Sequence, residues 1–312
     1  MKPLTTDAPR TRLDGVETLT LSAGDLEAAF APHLGMAGVS LRHRGDELLD
    51  RRAGLAAYAR QGAVMGIPLL HPWANRLAAH EYALDGHHVR LPGGPPLVHC
   101  EEHGLPIHGL LNGSPHWAVT AATDAPRIAA RLDFGAHRDL LAAFPFPHEL
   151  TLEATLDPAG LELATTVRAT GDRAVPVSFG FHPYLRLPGV DRSEWRLELP
   201  ARRQLATDDR GIPTGSGRSE PAASFTLADL AFDDGYDRLA EGASFRVGAP
   251  NRSIAVSLVR GYPAAQIFSP EGAQFVCFEP MTAPTNALLS GDGLRRVAPG
   301  DSFTALFRID VA

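Results

Sequence analysis

Two short stretches end in side chains fit for proton transfer. The first is Val175-Pro-Val-Ser-Phe-Gly-Phe-His-Pro-Tyr-Leu-Arg-Leu187. Its alternation sends Val177, Phe179 and Phe181 to one face and Ser178, Gly180 and His182 to the other. The first face is core. The second is small, small, then an imidazole, so open space that a ligand could fill is expected beside His182. Pro183 has no amide donor, so the ladder should fray there. Histidine titrates near neutrality and suits general acid or base chemistry at such a strand end. The second stretch, Phe275-Val-Cys-Phe-Glu-Pro-Met-Thr-Ala-Pro-Thr-Asn-Ala-Leu288, is a short apolar strand that delivers one carboxylate. Phe275, Cys277 and Glu279 share a face, and Pro280 is expected to close the strand. A carboxylate in such company must be paired, hydrogen-bonded or used, and desolvation raises its pKa and its basicity. The bland alternatives are a packed histidine and a Glu bonded to a nearby loop.

Other candidates are weaker alone. Gly66-Ile-Pro-Leu-Leu-His-Pro-Trp-Ala-Asn-Arg-Leu77 runs from an apolar entry into a loop presenting Asn75 and Arg76. The guanidinium is a planar fork of donors able to hold sugar hydroxyls, or simply to brace the loop through a salt bridge. His99-Cys-Glu-Glu-His103 satisfies the H-x-x-E-H pattern of some zinc proteases. That chemistry needs both histidines on one helix face. Gly93-Gly-Pro-Pro96 before it and Gly104 with Pro106 after it leave no room for such a helix, so no metal site is expected. Phe232-Asp-Asp-Gly-Tyr-Asp-Arg-Leu239 reads as a turn, because Asp-Gly is a strong turn former. The remaining histidines are scattered. The dinucleotide, P-loop and serine-hydrolase signatures are absent from the sequence.

Short alternating runs must position these residues. Strands are expected at 17–22, 25–31, 36–44, 127–134, 148–156, 160–168, 175–182, 195–199, 244–248, 253–259, 264–269, 274–279 and 302–310. Asp157-Pro-Ala-Gly160 should turn the chain between His148–Leu156 and Leu161–Val167 as a hairpin. One short helix is expected around Ala53–Arg60, and Gly211–Ser219 reads as a surface loop. Many strands and few helices predict an all-β fold, a large antiparallel β-sandwich. Residues 1–15 are polar and expected to be loose. No linker divides 16–312, which read as a single domain.

Three blocks, in order, carry a resemblance: Pro72-Trp-Ala-Asn-Arg-Leu77, His182-Pro-Tyr184, and Glu279-Pro-Met-Thr282 with Asn286-Ala-Leu288. They resemble the signature blocks of the aldose 1-epimerases, or galactose mutarotase-like proteins, and the likeness runs from about Leu19 to the C-terminus. The resemblance implies a supersandwich fold and an isomerase of carbohydrate metabolism. Ring opening and reclosure interconvert the α and β anomers of a free aldohexose, with no metal, nucleotide or redox cofactor. Glu279 is implied as the general base and His182 as the general acid, active with Glu ionised and His protonated, between about 4.3 and 6.5 for unperturbed groups. Arg76, Asn75, His108 of Ile107-His-Gly109 and Asp233, favoured over Asp234, are implied in sugar binding. The chain departs from the family at Leu185-Arg186, which follow His182-Pro-Tyr184. Arg186 shares the face of His182 if the strand continues, which suits the alternative of a hexose-6-phosphate 1-epimerase. A further alternative is a sugar-binding protein without turnover. It is disfavoured because both catalytic residues are present.

The totals narrow the partners. Net charge is −7 over 312 residues, without a basic run long enough to follow phosphates, so no nucleic-acid partner is expected. A 44% hydrophobic content supports a substantial core. Two cysteines, Cys100 and Cys277, fit a reducing compartment rather than a disulfide framework. The N-terminus shows no apolar signal region, and no run approaches the roughly 18 apolar residues of a membrane span. A cytoplasmic protein acting on a small sugar is therefore expected; the sequence sets no oligomeric state.

Overall fold

The computed structural model describes residues 9–94, 97–122 and 126–312. Their architecture is antiparallel strand packed on strand, the large β-sandwich that the sequence predicts. A nine-stranded sheet runs, in spatial order, through Ala118–Ala122, Arg127–Asp133, His148–Asp157, Gly160–Ala169, Ser302–Val311, Arg252–Arg260, Ala243–Ala249, Arg196–Leu199 and Ala223–Thr226. A second sheet runs through Pro213–Glu220, Arg202–Thr207, Phe232–Asp237, Ala264–Ser269, Val276–Met281, Gly180–Phe181 and Leu69–Leu70. Tyr184–Leu185 also pairs with Val276–Met281. A third sheet comprises the N-terminal strands Arg10–Leu13, Val16–Ala23, Leu26–Ala31, Ala37–His43 and Asp46–Glu47.

The alternation that predicts these strands also builds the core. His148–Asp157 buries every second residue, and its partner Gly160–Ala169 follows after an Asx turn. Asp157 Oδ1 accepts the Ala159 and Gly160 amides at 2.8 and 3.0 Å. The inner faces of the two large sheets meet through aromatic pairs. Phe181 lies 4.9 Å from Phe307, and Phe278 lies 5.6 Å from Phe245, centroid to centroid. Leu19, Leu21 and Phe30 of the N-terminal sheet belong to the same buried cluster.

Four local expectations differ. Arg10–Leu13, placed in the loose segment, pairs along Val16–Leu19 as an edge strand; residues 1–8 lie outside the described residues. Pro213–Glu220 is an exposed edge strand rather than a loop, because backbone pairing to Arg202–Thr207 tolerates its glycines. Phe232–Asp237 is an inner strand rather than a turn. The predicted strand 175–182 is two pieces, Val175–Val177 and Gly180–Phe181, and a further short strand, Tyr184–Leu185, follows Pro183. The helix forms at Leu55–Gln61, and Arg138–Ala143 and Ala287–Ser290 are helical without having been predicted so.

Candidate active site

The site lies on the outer face of the second sheet. Gly180 pairs with Met281, and Tyr184 pairs with Cys277. Both pairings share one register, which sets His182 directly across from Glu279. The two side chains meet, His182 Nε2 lying 3.1 Å from Glu279 Oε1. Val177, Phe179 and Phe181 turn into the core as their alternation predicts. The strand does break at Pro183. Pro280 does not close its strand, which continues to Met281.

The small residues before His182 serve a different purpose from the one expected. Ser178 O accepts the Ala74 amide at 2.7 Å. A Cβ at Gly180 would come within 2.6 Å of Pro280 O and 2.9 Å of Ala74 Cβ. The space beside them is filled by the loop carrying Asn75 and Arg76, so smallness at 180 lets that loop seat against the sheet. Asn75, at φ 56°, accepts the Arg76 amide on Oδ1 at 2.8 Å and Arg76 Nη1 at 3.2 Å. Asn75 O accepts the His108 amide at 3.0 Å. The His108 ring then stands edge-on to His182, 5.3 Å between centroids.

Asp233 faces this group. Arg76 Nη2 donates to its Oδ2 at 3.1 Å, and Gln266 Nε2 to its Oδ1 at 2.7 Å. Asp234 points to the other face and accepts Gln204 Nε2 at 2.8 Å. Strand parity thus separates the adjacent acids. All six sequence-predicted residues, His182, Glu279, Arg76, Asn75, His108 and Asp233, fall in one cluster.

Sequence reasoning missed three neighbours. Gln266 lies directly across from Glu279 on the adjoining strand. Tyr184 stacks on His182 at 4.3 Å with the rings 7° from parallel. Gln266 sits at an alternate position of the predicted strand 264–269, and Tyr184 lies inside the His182-Pro-Tyr184 block; those were the available signals. The exposed Arg52 places its guanidinium 5.7 Å from the Tyr184 ring and 4.8 Å from Phe275; nothing in the sequence links it to the site. Arg186 is half-buried beyond Tyr184, its amide bonded to Leu48 O at 2.9 Å.

Burial dominates the electrostatics. His182 is 4% exposed and Glu279 is 1% exposed. Desolvation pushes Glu279 well above the ordinary carboxylate range. Asp233 adds to the rise and Arg76 opposes it. Desolvation pushes His182 well below the ordinary imidazole value, with His108 and Arg52 adding to the fall. His108 is lowered to about 3 by burial first, then by Arg76 and His99, and stays neutral. His182 Nδ1, His108 Nδ1 and Glu279 Oε2 are buried without a hydrogen-bond partner among the described residues. A ligand rich in hydroxyls would satisfy such atoms.

A family model described as aldose 1-epimerase matches residues 17–310. The chain is 26% identical to the uncharacterized protein YihR of Escherichia coli K12 over 316 aligned residues, 94% of this chain and 92% of that protein. Among solved structures, a galactose mutarotase-like protein of Clostridium acetobutylicum superposes with a TM-score of 0.84 at 18% identity, covering 97% of this chain and 98% of that one. Slr1438 of Synechocystis sp. PCC 6803 gives 0.78 at 23% identity over 100% and 99%. The structural likenesses show the fold. The family match, which spans nearly the whole sequence, places this chain in the aldose 1-epimerase family.

Proposed function

We propose that the protein is an aldose 1-epimerase acting on a free aldohexose. The observation carrying this reading is the buried His182–Glu279 contact, flanked on one sheet face by Gln266, Asp233 and Arg76. Anomer exchange needs one acid and one base at the same sugar carbon. A base removes the C1 hydroxyl proton as an acid protonates the departing ring oxygen; rotation about C1–C2 and the reverse transfers close the other anomer. A pair sharing one proton supplies both roles, each worth about 10²–10⁴-fold. Glu279 takes the base role and His182 the acid role, once the shared proton sits on the imidazole. Arg76 favours that distribution by stabilising the carboxylate. Arg76, Asn75, neutral His108 and Asp233 surround the pair with donors and acceptors for sugar hydroxyls.

Polarimetry across a panel of free and 6-phosphorylated aldoses tests the reading. Acceleration for glucose or galactose, with a lower kcat/KM for glucose 6-phosphate, is expected. The Arg76 guanidinium is already engaged by Asp233 and is not a free phosphate cradle. A strong preference for the phosphate would establish the hexose-6-phosphate alternative. Sugar binding without turnover would leave a binding protein.

A further inference from the structure

The turn that follows His99–Cys100 carries a buried carboxylate unassigned by the epimerase reading. Glu101 and Glu102 belong to a stretch that reads like a zinc-protease motif, yet the two have different fates. Glu102 is exposed, whereas the Glu101 side chain is only 10% exposed. Its Oε1 accepts the His103 and Leu105 amides at 2.9 and 3.0 Å. Those bonds hold the carboxylate to its own turn. Its Oε2 lies 3.5 Å from Arg76 Nε. The guanidinium is therefore flanked on three edges, by hydrogen bonds from Nη1 to Asn75 and from Nη2 to Asp233, and at Nε by the Glu101 charge, a contact of opposite charges without a hydrogen bond. The Gly211 backbone passes close to the same group, and a Cβ there would come within 3.1 Å of Nη1.

The same turn leads straight into His108. Leu77 N donates to Pro106 O at 2.9 Å, and Arg76 bridges Ile107. Glu101 thus sits where the Arg76 loop and the His108 loop join. We propose that Glu101 is a positioning residue, which locks the Arg76 guanidinium so that its Nη2 edge stays beside Asp233 and its charge beside Glu279. Each carboxylate meets the guanidinium through a single atom, so the two on separate edges restrict its rotation more than either one would. A freely rotating Arg76 would bind a sugar hydroxyl in several geometries, few of them productive.

This inference rests on the proposed function, and its test separates the two. Mutarotation of galactose and glucose is followed for wild type, Glu101→Gln, Arg76→Ala and the double variant, with calorimetric affinity for the same sugars. Glu101→Gln should raise KM and lower kcat together, reducing kcat/KM on the order of ten- to a hundredfold. In the Arg76→Ala background it should change neither, because its partner is gone. A merely structural Glu101 would lower Tm and leave the folded protein's KM unmoved, or act additively with Arg76→Ala; either result overturns the inference. If wild type turns over no aldose, the proposed function falls. The affinity cycle still decides on Glu101: coupled losses of binding support positioning, and independent losses refute it.

Discussion

At the scale of single residues, the decisive quantity is where one proton sits. Unperturbed values would make Glu279 and His182 an ion pair between about 4.3 and 6.5. Burial reverses that order, raising the carboxylate and lowering the imidazole. The ligand-free pair therefore keeps its proton on Glu279 and leaves His182 neutral, and its two titration steps belong to the pair. The pH profile of kcat/KM should be a bell with a broad top, its acid limb marking uptake of a second proton by the pair and its alkaline limb loss of the shared one. Imidazole ¹⁵N shifts of His182 at pH 6 should be those of a neutral ring; protonated-ring shifts would restore the ion pair. Glu279→Gln and His182→Asn should each lower kcat by about 10²–10⁴. The double variant should lose less than the product, since both act in one event. Near-normal kcat in either folded single variant would remove the pair from the mechanism.

At the scale of elements, the loop carrying Arg76 is anchored by a second, fully buried imidazole pair. His148 Nδ1 donates to Phe146 O at 2.6 Å, so its Nε2 accepts from His71 Nε2 at 2.8 Å. Burial lowers His148 to about 4, and burial, then His148, lowers His71 well below its ordinary value. Unfolded histidines titrate near 6.5. The contribution of this pair is complete above that value. It is lost as pH falls toward the folded values, because the unfolded chain then binds protons the native one refuses. For His148 alone the loss is on the order of 3 kcal/mol at 1.36 kcal/mol per unit. His108 and His182 act in the same direction, so the test is a difference. Tm of wild type should fall more steeply from pH 6.5 to 4 than Tm of His148→Asn; parallel curves would show that the pair does not titrate as described. How much was legible in the sequence also divides by element. Strands with strict alternation, such as His148–Asp157, were readable because burial follows their period. Phe232–Asp237 was not, because Asp-Asp-Gly signals a turn whenever tertiary pairing is unseen. The faces of His182 and Glu279 were legible, but their register was not. Gly180 was misread because a sequence does not show whether space beside a small residue is open or filled.

At the scale of the molecule, the site is held by a core that the two large sheets share with the N-terminal sheet. Glu279 and Phe278 are neighbours on one strand, one facing the site and the other the sandwich interior against Phe245. His182 stands in the same relation to Phe181, which packs on Phe307. The backbone register that joins His182 and Glu279 is therefore set by aromatic contacts on its reverse face. The same buried cluster continues into Leu19, Leu21 and Phe30, so the N-terminal sheet has no separate core of comparable size. Residues 16–312 should then unfold as one cooperative unit. Phe307 is fully buried, 4.9 Å from Phe181 and 5.8 Å from Tyr262. Phe307→Ala removes that wedge without touching a polar group of the site, at a cost of about 3–5 kcal/mol. Calorimetry should show one transition for wild type and one, at lower temperature, for the variant. Tryptophan fluorescence, reporting Trp73 in the Arg76 loop and Trp117 and Trp195 beside the nine-stranded sheet, should follow the same curve as far-UV circular dichroism. Below its transition the variant should keep measurable mutarotation with a raised KM, because the register loosens before the pair is lost. Two resolved transitions, or fluorescence that departs from circular dichroism, would show that the N-terminal sheet or the site sheet folds on its own, and the strand-to-site coupling would then have to be abandoned.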